Sequence, residues 1–310
     1  MNIKNVVVAG GGVLGSQIAF QSAFCGFNVT IWLRSEGSIE RTKPKLERLK
    51  DVYLNTLEQM KTDKSAYCRG FSDKEDLTIE EIDELKECTI KAYDGIKLTT
   101  SYEDAAADAD LVIEAIAEDP EQKISFYQEL AKHLPEKTIL VTNSSTMLPS
   151  SFAKYTGRPE KYLALHFANS IWSNNTAEIM GHSETQQKYY DEVVKFAQDI
   201  NMVPLKLKKE QPGYILNSML VPFLSAAEAL LANDVADHET IDKTWILATG
   251  APIGPFRILD IVGLTTAYNI VIMNPEAGDK NTTPGKIAAL LKEKIDKGKT
   301  GINAGEGFYK

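Results

Sequence analysis

Apolar and polar positions alternate in blocks along this chain. Val6, Val7, Val8 and Ala9 form an apolar run that predicts a buried strand, and an apolar segment suited to a helix follows a glycine turn. Residues 29–33 predict a second strand, and residues 38–87 a charged helical insertion. In that insertion LERLKDVYLNTLEQM has helical periodicity, and LTIEEIDELKE opens with Thr78 three residues before Glu81, the spacing of a capping box. The strand–helix alternation then resumes. Residues 96–100, 111–116, 138–142 and 162–167 predict strands, and a helix begins near Pro120. Such alternation implies an α/β fold with a mainly parallel sheet, whose ligands bind beyond the carboxyl ends of its strands. Near residue 207 the character changes. LKKEQPG is a charged join, and the residues beyond it read as helices. The expected domains are 1–207, with a helical arm at 38–87, and an all-α domain at 208–310.

Composition narrows the function classes. A net charge of −9 argues against a nucleic-acid partner, which calls for a basic face. Cys25, Cys68 and Cys88 are odd in number and lack metal-ligand spacing, so they read as free thiols of a reducing compartment; no metal is expected and the cytoplasm is the expected location. Met1 to Lys4 leads straight into the first strand, which leaves no expected room for a targeting segment. The apolar helix at 214–232 carries Asn217, Pro222 and Glu228, which suit a buried or interfacial helix better than a membrane span.

The chemistry begins at the glycine turn. Gly10, Gly12 and Gly15 have G-x-G-x-x-G spacing between strand and helix. The first allows a tight turn, the second lets backbone approach a pyrophosphate, and the third lets helix and strand pack closely. The amides of the helix start, at Val13 and Leu14, favour a phosphate. Among the four histidines, His133 and His238 lie in charged segments expected to be exposed, and His182 in a turn. His166 ends the strand YLALHF, with Glu178 twelve residues on in the strand-like AEIM. A neutral histidine can take a proton from an alcohol, and a carboxylate on its other ring nitrogen fixes the tautomer. On spacing alone, a histidine at a strand end is more often a hydrogen-bonded structural residue.

Taken in order, the glycine turn, ADLVIEAIAED, TNSS, HFAN with Glu178, QPGYILN, GPFRILDIVGL and the closing GEGFYK resemble the L-3-hydroxyacyl-CoA dehydrogenase family over nearly the whole chain. The resemblance implies a Rossmann-like domain, a helical C-terminal domain and a homodimer formed largely through the latter. It puts the catalytic histidine at His166, its carboxylate at Glu178, and substrate-bonding groups at Ser145 and Asn217. It puts the nicotinamide-ribose contacts at Glu118 and Lys123, with Asp119 where the family has Asn, and Asn143 on the cofactor side.

Two departures from the family pattern bear on ligand choice. The acid that usually ends the second strand and bonds the adenosine ribose aligns with Leu33, followed by Arg34 and Ser35, which suit a 2′-phosphate. The expected cofactor is therefore NAD or NADP, with NADP slightly favoured. After His166 the family's apolar stretch becomes Ala168, Asn169, Ser170, Ile171, Trp172, Ser173, Asn174, Asn175. Polar groups lining a channel would disfavour a long acyl chain; the alternative is that Asn174 and Asn175 form a solvent-facing turn. The expected partner is a small molecule, a short CoA thioester; Arg41, Lys43, Lys45, Arg48 and Lys50 of the arm read either as contacts to its phosphates or as a solvated helix face. The alternatives are a dehydrogenase of a free polar 3-hydroxy acid or diketo ester, and a dinucleotide-binding protein without turnover.

Overall fold

In the computed structural model, which describes residues 3–310, eight strands form one sheet in the order β3-β2-β1-β4-β5-β6-β7-β8. They are β1 Asn5–Ala9, β2 Asn28–Trp32, β3 Lys97–Thr99, β4 Leu111–Glu114, β5 Ile139–Thr142, β6 Tyr162–Phe167, β7 Thr176–Met180 and β8 Val203–Lys206. All neighbouring pairs are parallel except β6–β7. The central strands β4, β5 and β6 are buried at every position, as a sheet covered on both faces requires. One face carries Val8, Ile31, Ile113, Val141 and Leu165 into a core shared with α1 Val13–Phe24, α2 Glu36–Met60, α3 Ile79–Gly95 and α6 Gln187–Asp199. The other carries Val7, Val112 and Leu140 toward α4 Tyr102–Ala106 and α5 Pro120–Leu130.

Local chemistry sets several element ends. Thr78 accepts from the Glu81 amide and the Glu81 carboxylate accepts from the Thr78 amide, so the capping box forms and starts α3. Asp119 caps α5 by accepting from Gln122 N, with Pro120 in the first helical turn. The arm runs beyond the expected 38–87: α2 starts at Glu36, directly after its N-cap Ser35, and α3 continues past the buried Ala92 to Gly95. No sequence pattern announced α4, α6 or β8.

The chain divides into two units, the first ending at Ile215 and the second spanning Leu216–Lys310, rather than parting at 207. The reason is that residues from 207 to 215 bond into the first unit: Leu207 N donates to Ile179 O, Tyr214 Oη to Ser144 O, and Ile215 N to Glu178. Accordingly the helix expected at 214–232 is α7 Leu216–Ala232. The second unit adds α8 His238–Thr249, α9 Pro255–Val262, α10 Leu264–Val271 and α11 Thr283–Asp296 around Phe256, Leu259, Leu264 and Leu291. Two buried aspartates tie it together. Asp242 accepts from the amides of Phe256 and Arg257 at the start of α9, and Asp260 accepts from those of Phe308 and Tyr309. The GPFRILD and GEGFYK motifs thus have a structural task. His238 packs against Phe256, Phe308 and Tyr309 instead of lying exposed. Among the described residues no helix is long and apolar enough to cross a membrane, and no cluster of three His, Cys, Asp or Glu is placed to hold a metal ion.

Candidate active site

The β1–α1 turn is shaped by close approaches. Gly10 has φ +121°, and a Cβ there would meet Ala115 O at 2.4 Å; a Cβ on Gly15 would meet Gly10 O at 2.2 Å. Gly12 differs, because a Cβ there would meet nothing within 4 Å. The fold leaves the space over Gly12 open. Gly12 is also the N-cap of α1 and offers no side chain, so the first-turn amides are left to an outside acceptor. Beside this turn lies a cavity of about 880 Å³, lined by Gly10, Gly11 and Gly12, by Leu33, Arg34, Ser38, Arg41 and Lys45, and by Ile116 and Gln122 among others. Lys45 Nζ donates to Gly11 O at 2.7 Å, which brings a cation to the glycine turn. These residues fit a dinucleotide: bare amides, an open glycine and cations beside them.

A smaller cavity of about 180 Å³ continues past α1, lined by Gly12, Val13, Leu14, Gly15, Glu114, Glu118, Lys123, Asn143 and Ser144 among others. Glu114 ends β4 and is fully buried. Its Oε1 accepts from Lys123 Nζ at 2.6 Å and Ile116 N at 2.9 Å, and its Oε2 from Tyr127 Oη and Thr142 Oγ1, each at 2.7 Å. Burial, with Glu114 adding, pushes the Tyr127 hydroxyl pKa well up and keeps it a donor. Lys123 is 1% exposed, so its ammonium is a fixed charge at this cavity rather than a surface cation. Asn143 Oδ1 accepts from Phe167 N, which locks the end of β5 to the end of β6. Glu118 accepts from Ser144 Oγ at 2.7 Å and Ser145 N at 3.3 Å.

His166 and Glu178 are register partners in the antiparallel β6–β7 pair, so both side chains stand on one face of the sheet. His166 Nδ1 lies 3.0 Å from Glu178 Oε2, and His166 Nε2 lies 3.1 Å from Ser145 Oγ. With the carboxylate accepting from Nδ1–H, the neutral ring carries its lone pair on Nε2, where Ser145 sits. Glu178 Oε1 accepts from Ile215 N at 2.8 Å. Tyr214 stacks on the His166 ring at 4.4 Å between centroids and 14° between planes, a contact that sequence reasoning missed. Its one signal in the sequence is an aromatic residue directly after the Pro212–Gly213 turn. Asn217 lies in the first turn of α7, in the second unit, half-buried.

Several sequence expectations are corrected here. Ser35 does not line the large cavity; its hydroxyl meets that of Ser38 at 3.0 Å, and Arg41 donates to the same Ser38 oxygen. Arg34 does line it and donates to Gln122 Oε1 at 3.2 Å, while Leu33 is buried beneath Gly11. The amides of Asn174 and Asn175 are spent on Asn169 O and Asn201 O, and Trp172 packs on Tyr53, so this stretch is a self-satisfied loop rather than a polar channel wall. Of the arm's cations, Lys45 belongs to the dinucleotide turn, Lys43 pairs with Glu40, and Lys50 lies over the Tyr93 ring. His182 is buried, with Nε2 on Pro159 O and Nδ1 accepting from Glu184 N.

Comparison with known proteins decides the family. Residues 5–211 match the model of the 3-hydroxyacyl-CoA dehydrogenase NAD-binding domain, and residues 213–310 that of the family's C-terminal domain. The chain belongs to the 3-hydroxyacyl-CoA dehydrogenase family. Human mitochondrial hydroxyacyl-coenzyme A dehydrogenase is 31% identical over 308 residues, covering 99% of this chain and 91% of that protein. The 3-hydroxybutyryl-CoA dehydrogenase of Clostridioides difficile is 28% identical over 305 residues, covering 98% of each. Among solved structures, a diketoreductase described as acting on dicarbonyl compounds is 47% identical with a TM-score of 0.86, covering 100% of this chain and 99% of that one. The (S)-3-hydroxybutyryl-CoA dehydrogenase of Ralstonia eutropha is 25% identical with a TM-score of 0.76, covering 99% of each. Family membership brings an oxidoreductase with a Rossmann-type nicotinamide domain.

Proposed function

We propose that this member of the family interconverts a 3-hydroxy and a 3-oxo group on an acyl-CoA thioester, a short one as the names of its 3-hydroxybutyryl-CoA dehydrogenase relatives suggest. The observation that carries the reading is the Glu178–His166–Ser145 chain of contacts beside the dinucleotide cradle. The bound dinucleotide supplies or accepts a hydride. His166 holds the proton: Nε2 takes it from the alcohol in oxidation and returns it to the developing alkoxide in reduction. Glu178 steadies the imidazolium and fixes its orientation. Ser145 donates to the substrate oxygen as charge grows there, and Asn217 keeps the second such role implied by the resemblance. Gly10, Gly12, Val13, Leu14 and Gly15 seat the pyrophosphate, and Glu118, Lys123 and Asn143 surround the nicotinamide end.

The 2′-phosphorylated dinucleotide is the favoured form. Leu33 stands where the usual repelling acid would be, and Arg34 and Arg41 line the large cavity, where Glu121 is the lining carboxylate. Glu36, the next acid along the chain, accepts from Thr100 Oγ1. A homodimer through the second unit is supported by its exposed Met219, Leu247 and Met273, and a reducing cytoplasmic setting by free Cys25, Cys68 and Cys88.

A second reading, reduction of a free 3-oxo acid or diketo ester, is favoured by the 47% identity to the diketoreductase. One panel separates them: acetoacetyl-CoA, free acetoacetate and a 3,5-diketo ester, each with NADH and NADPH. Turnover of acetoacetyl-CoA above the others supports the thioester reading. A preference for the diketo ester replaces it with the second reading. Dinucleotide binding without turnover of any of them would leave a binding protein.

A further inference from the structure

The segment after Pro212 does more than join two units. Gly213 and Tyr214 have φ of +78° and +56°, so a bulky aromatic residue sits in left-handed backbone where glycine is usual. Such a conformation costs free energy and persists where the surroundings over-determine it. Here three contacts do so. The Tyr214 ring lies face to face with the His166 imidazole, its hydroxyl donates to Ser144 O at 2.6 Å, and the next amide, Ile215 N, donates to Glu178 Oε1 at 2.8 Å. Tyr214 is 1% exposed. One two-residue stretch therefore touches the histidine, the carboxylate behind it, and the backbone that presents Ser145.

We propose that Tyr214 is a positioning residue of the reaction, acting through His166 and Ser145. An imidazole hydrogen-bonded at Nδ1 can still swing about that bond, and the stacked ring closes off one side of the swing. An aromatic face also favours the imidazolium that forms when Nε2 takes the proton. The hydroxyl tether fixes the Ser144 carbonyl, and with it the Ser144–Ser145 peptide whose serine faces Nε2. Burial, with Glu118 and Glu178 adding, pushes the Tyr214 hydroxyl pKa up, so it stays a donor throughout the working pH range. The ring and the hydroxyl thus have separable tasks: the ring holds the proton carrier, and the hydroxyl holds the substrate-bonding serine.

The proposal rests on the dehydrogenase reading, and its test is built so that the two can fail separately. Wild type, H166Q, Y214F and Y214L are compared by steady-state kinetics, by fluorescence titration with dinucleotide, and by the imidazole C–H resonances in proton–carbon NMR. H166Q assigns the His166 resonances by their disappearance and shows whether turnover needs this residue. The expected wild-type resonances are shifted upfield by the Tyr214 ring current, retained in Y214F and lost in Y214L. Y214L is expected to lose about 10–10²-fold in kcat with an unchanged dinucleotide Kd. Y214F is expected to recover that kcat and to raise KM for the oxo substrate about fivefold, the loss of one hydrogen bond. If Y214L keeps wild-type kcat, or if kcat and the number of titratable dinucleotide sites fall together, Tyr214 is packing alone and the proposal is overturned. If the wild type turns over no oxo substrate, the dehydrogenase reading fails. The His166 resonances of the resting protein then still decide the stack, and unshifted resonances in the wild type overturn it.

Discussion

His166 and Glu178 stand directly opposite each other across β6 and β7, with Nδ1 and Oε2 3.0 Å apart. This follows from sheet register: opposed residues of an antiparallel pair put their side chains on one face. Backbone pairing places the dyad, so it does not depend on a mobile loop. A Glu178→Gln variant keeps the size and loses the charge, and its side-chain oxygen and amide leave the imidazole free to carry its proton on Nε2. That tautomer cannot act as a base. The expected loss in kcat for oxidation is on the order of 10²-fold, with dinucleotide Kd unchanged. His166→Gln is expected to cost about 10²–10⁴-fold. Steady-state rates in the oxidation direction, with a dinucleotide titration alongside, check both.

The dyad also shows how far the sequence could be read. β1, β2, β4, β5 and β6 announce themselves as apolar runs because a sheet covered on both faces needs no polar alternation. β8, VPLK, is half-exposed at the sheet edge and carries a proline, so neither its run nor its composition marks it. His166 and Glu178 are visible as residue types, yet their pairing depends on the turn from β6 to β7, which no periodicity reveals. The arm's cations mislead because Lys45 reaches back 34 positions to Gly11, a contact set by the packing of α2 on α1. Tyr214 is legible only once Gly213 and its own positive φ have turned the chain back onto His166.

The glycines of the β1–α1 turn divide into those the fold needs and one, Gly12, that the fold does not. Gly15→Ala drives a methyl to 2.2 Å from Gly10 O. The expected result is destabilisation by about 1–3 kcal/mol together with weaker dinucleotide binding. Gly12→Ala meets nothing in the protein. It is expected to keep the wild-type melting temperature and to weaken dinucleotide binding by at least about tenfold, because its methyl stands at the proposed seat of the pyrophosphate. Thermal melts paired with dinucleotide titrations of the two variants test this. A Gly12→Ala protein with unimpaired binding would mean the pyrophosphate is seated elsewhere.

Arg34 and Arg41 line the large cavity, and the proposed preference for the 2′-phosphorylated dinucleotide rests on them. Arg34→Ala with Arg41→Ala is expected to lower kcat/KM for NADPH by about 10–10²-fold, one or two charge-assisted hydrogen bonds. The effect on NADH should be at most a few-fold. The ratio of the two specificity constants is the measurement. A wild type that uses NADH better, with both cofactors equally affected by the double variant, would assign these arginines to the pyrophosphate instead.

Glu228 predicts a pH dependence of stability unrelated to catalysis. It lies on α7, is 3% exposed, and its Oε1 has no hydrogen-bond partner; burial raises its pKa to about 7. Between its ordinary value of 4.5 and about 7 the folded chain keeps a proton that the unfolded chain has released. The folded state therefore binds more protons in that window, and stability falls as pH rises through it. This group contributes nothing unfavourable below its unfolded pKa, and above about pH 7 its full cost of about 3 kcal/mol is present. Glu228→Gln carries no charge to bury. The variant is expected to melt at nearly the wild-type temperature at pH 5 and several degrees higher at pH 8. Thermal melts across pH 4.5–8.5 at fixed protein concentration test this, and an equal difference between the two proteins at both ends would show that Glu228 is ionised throughout.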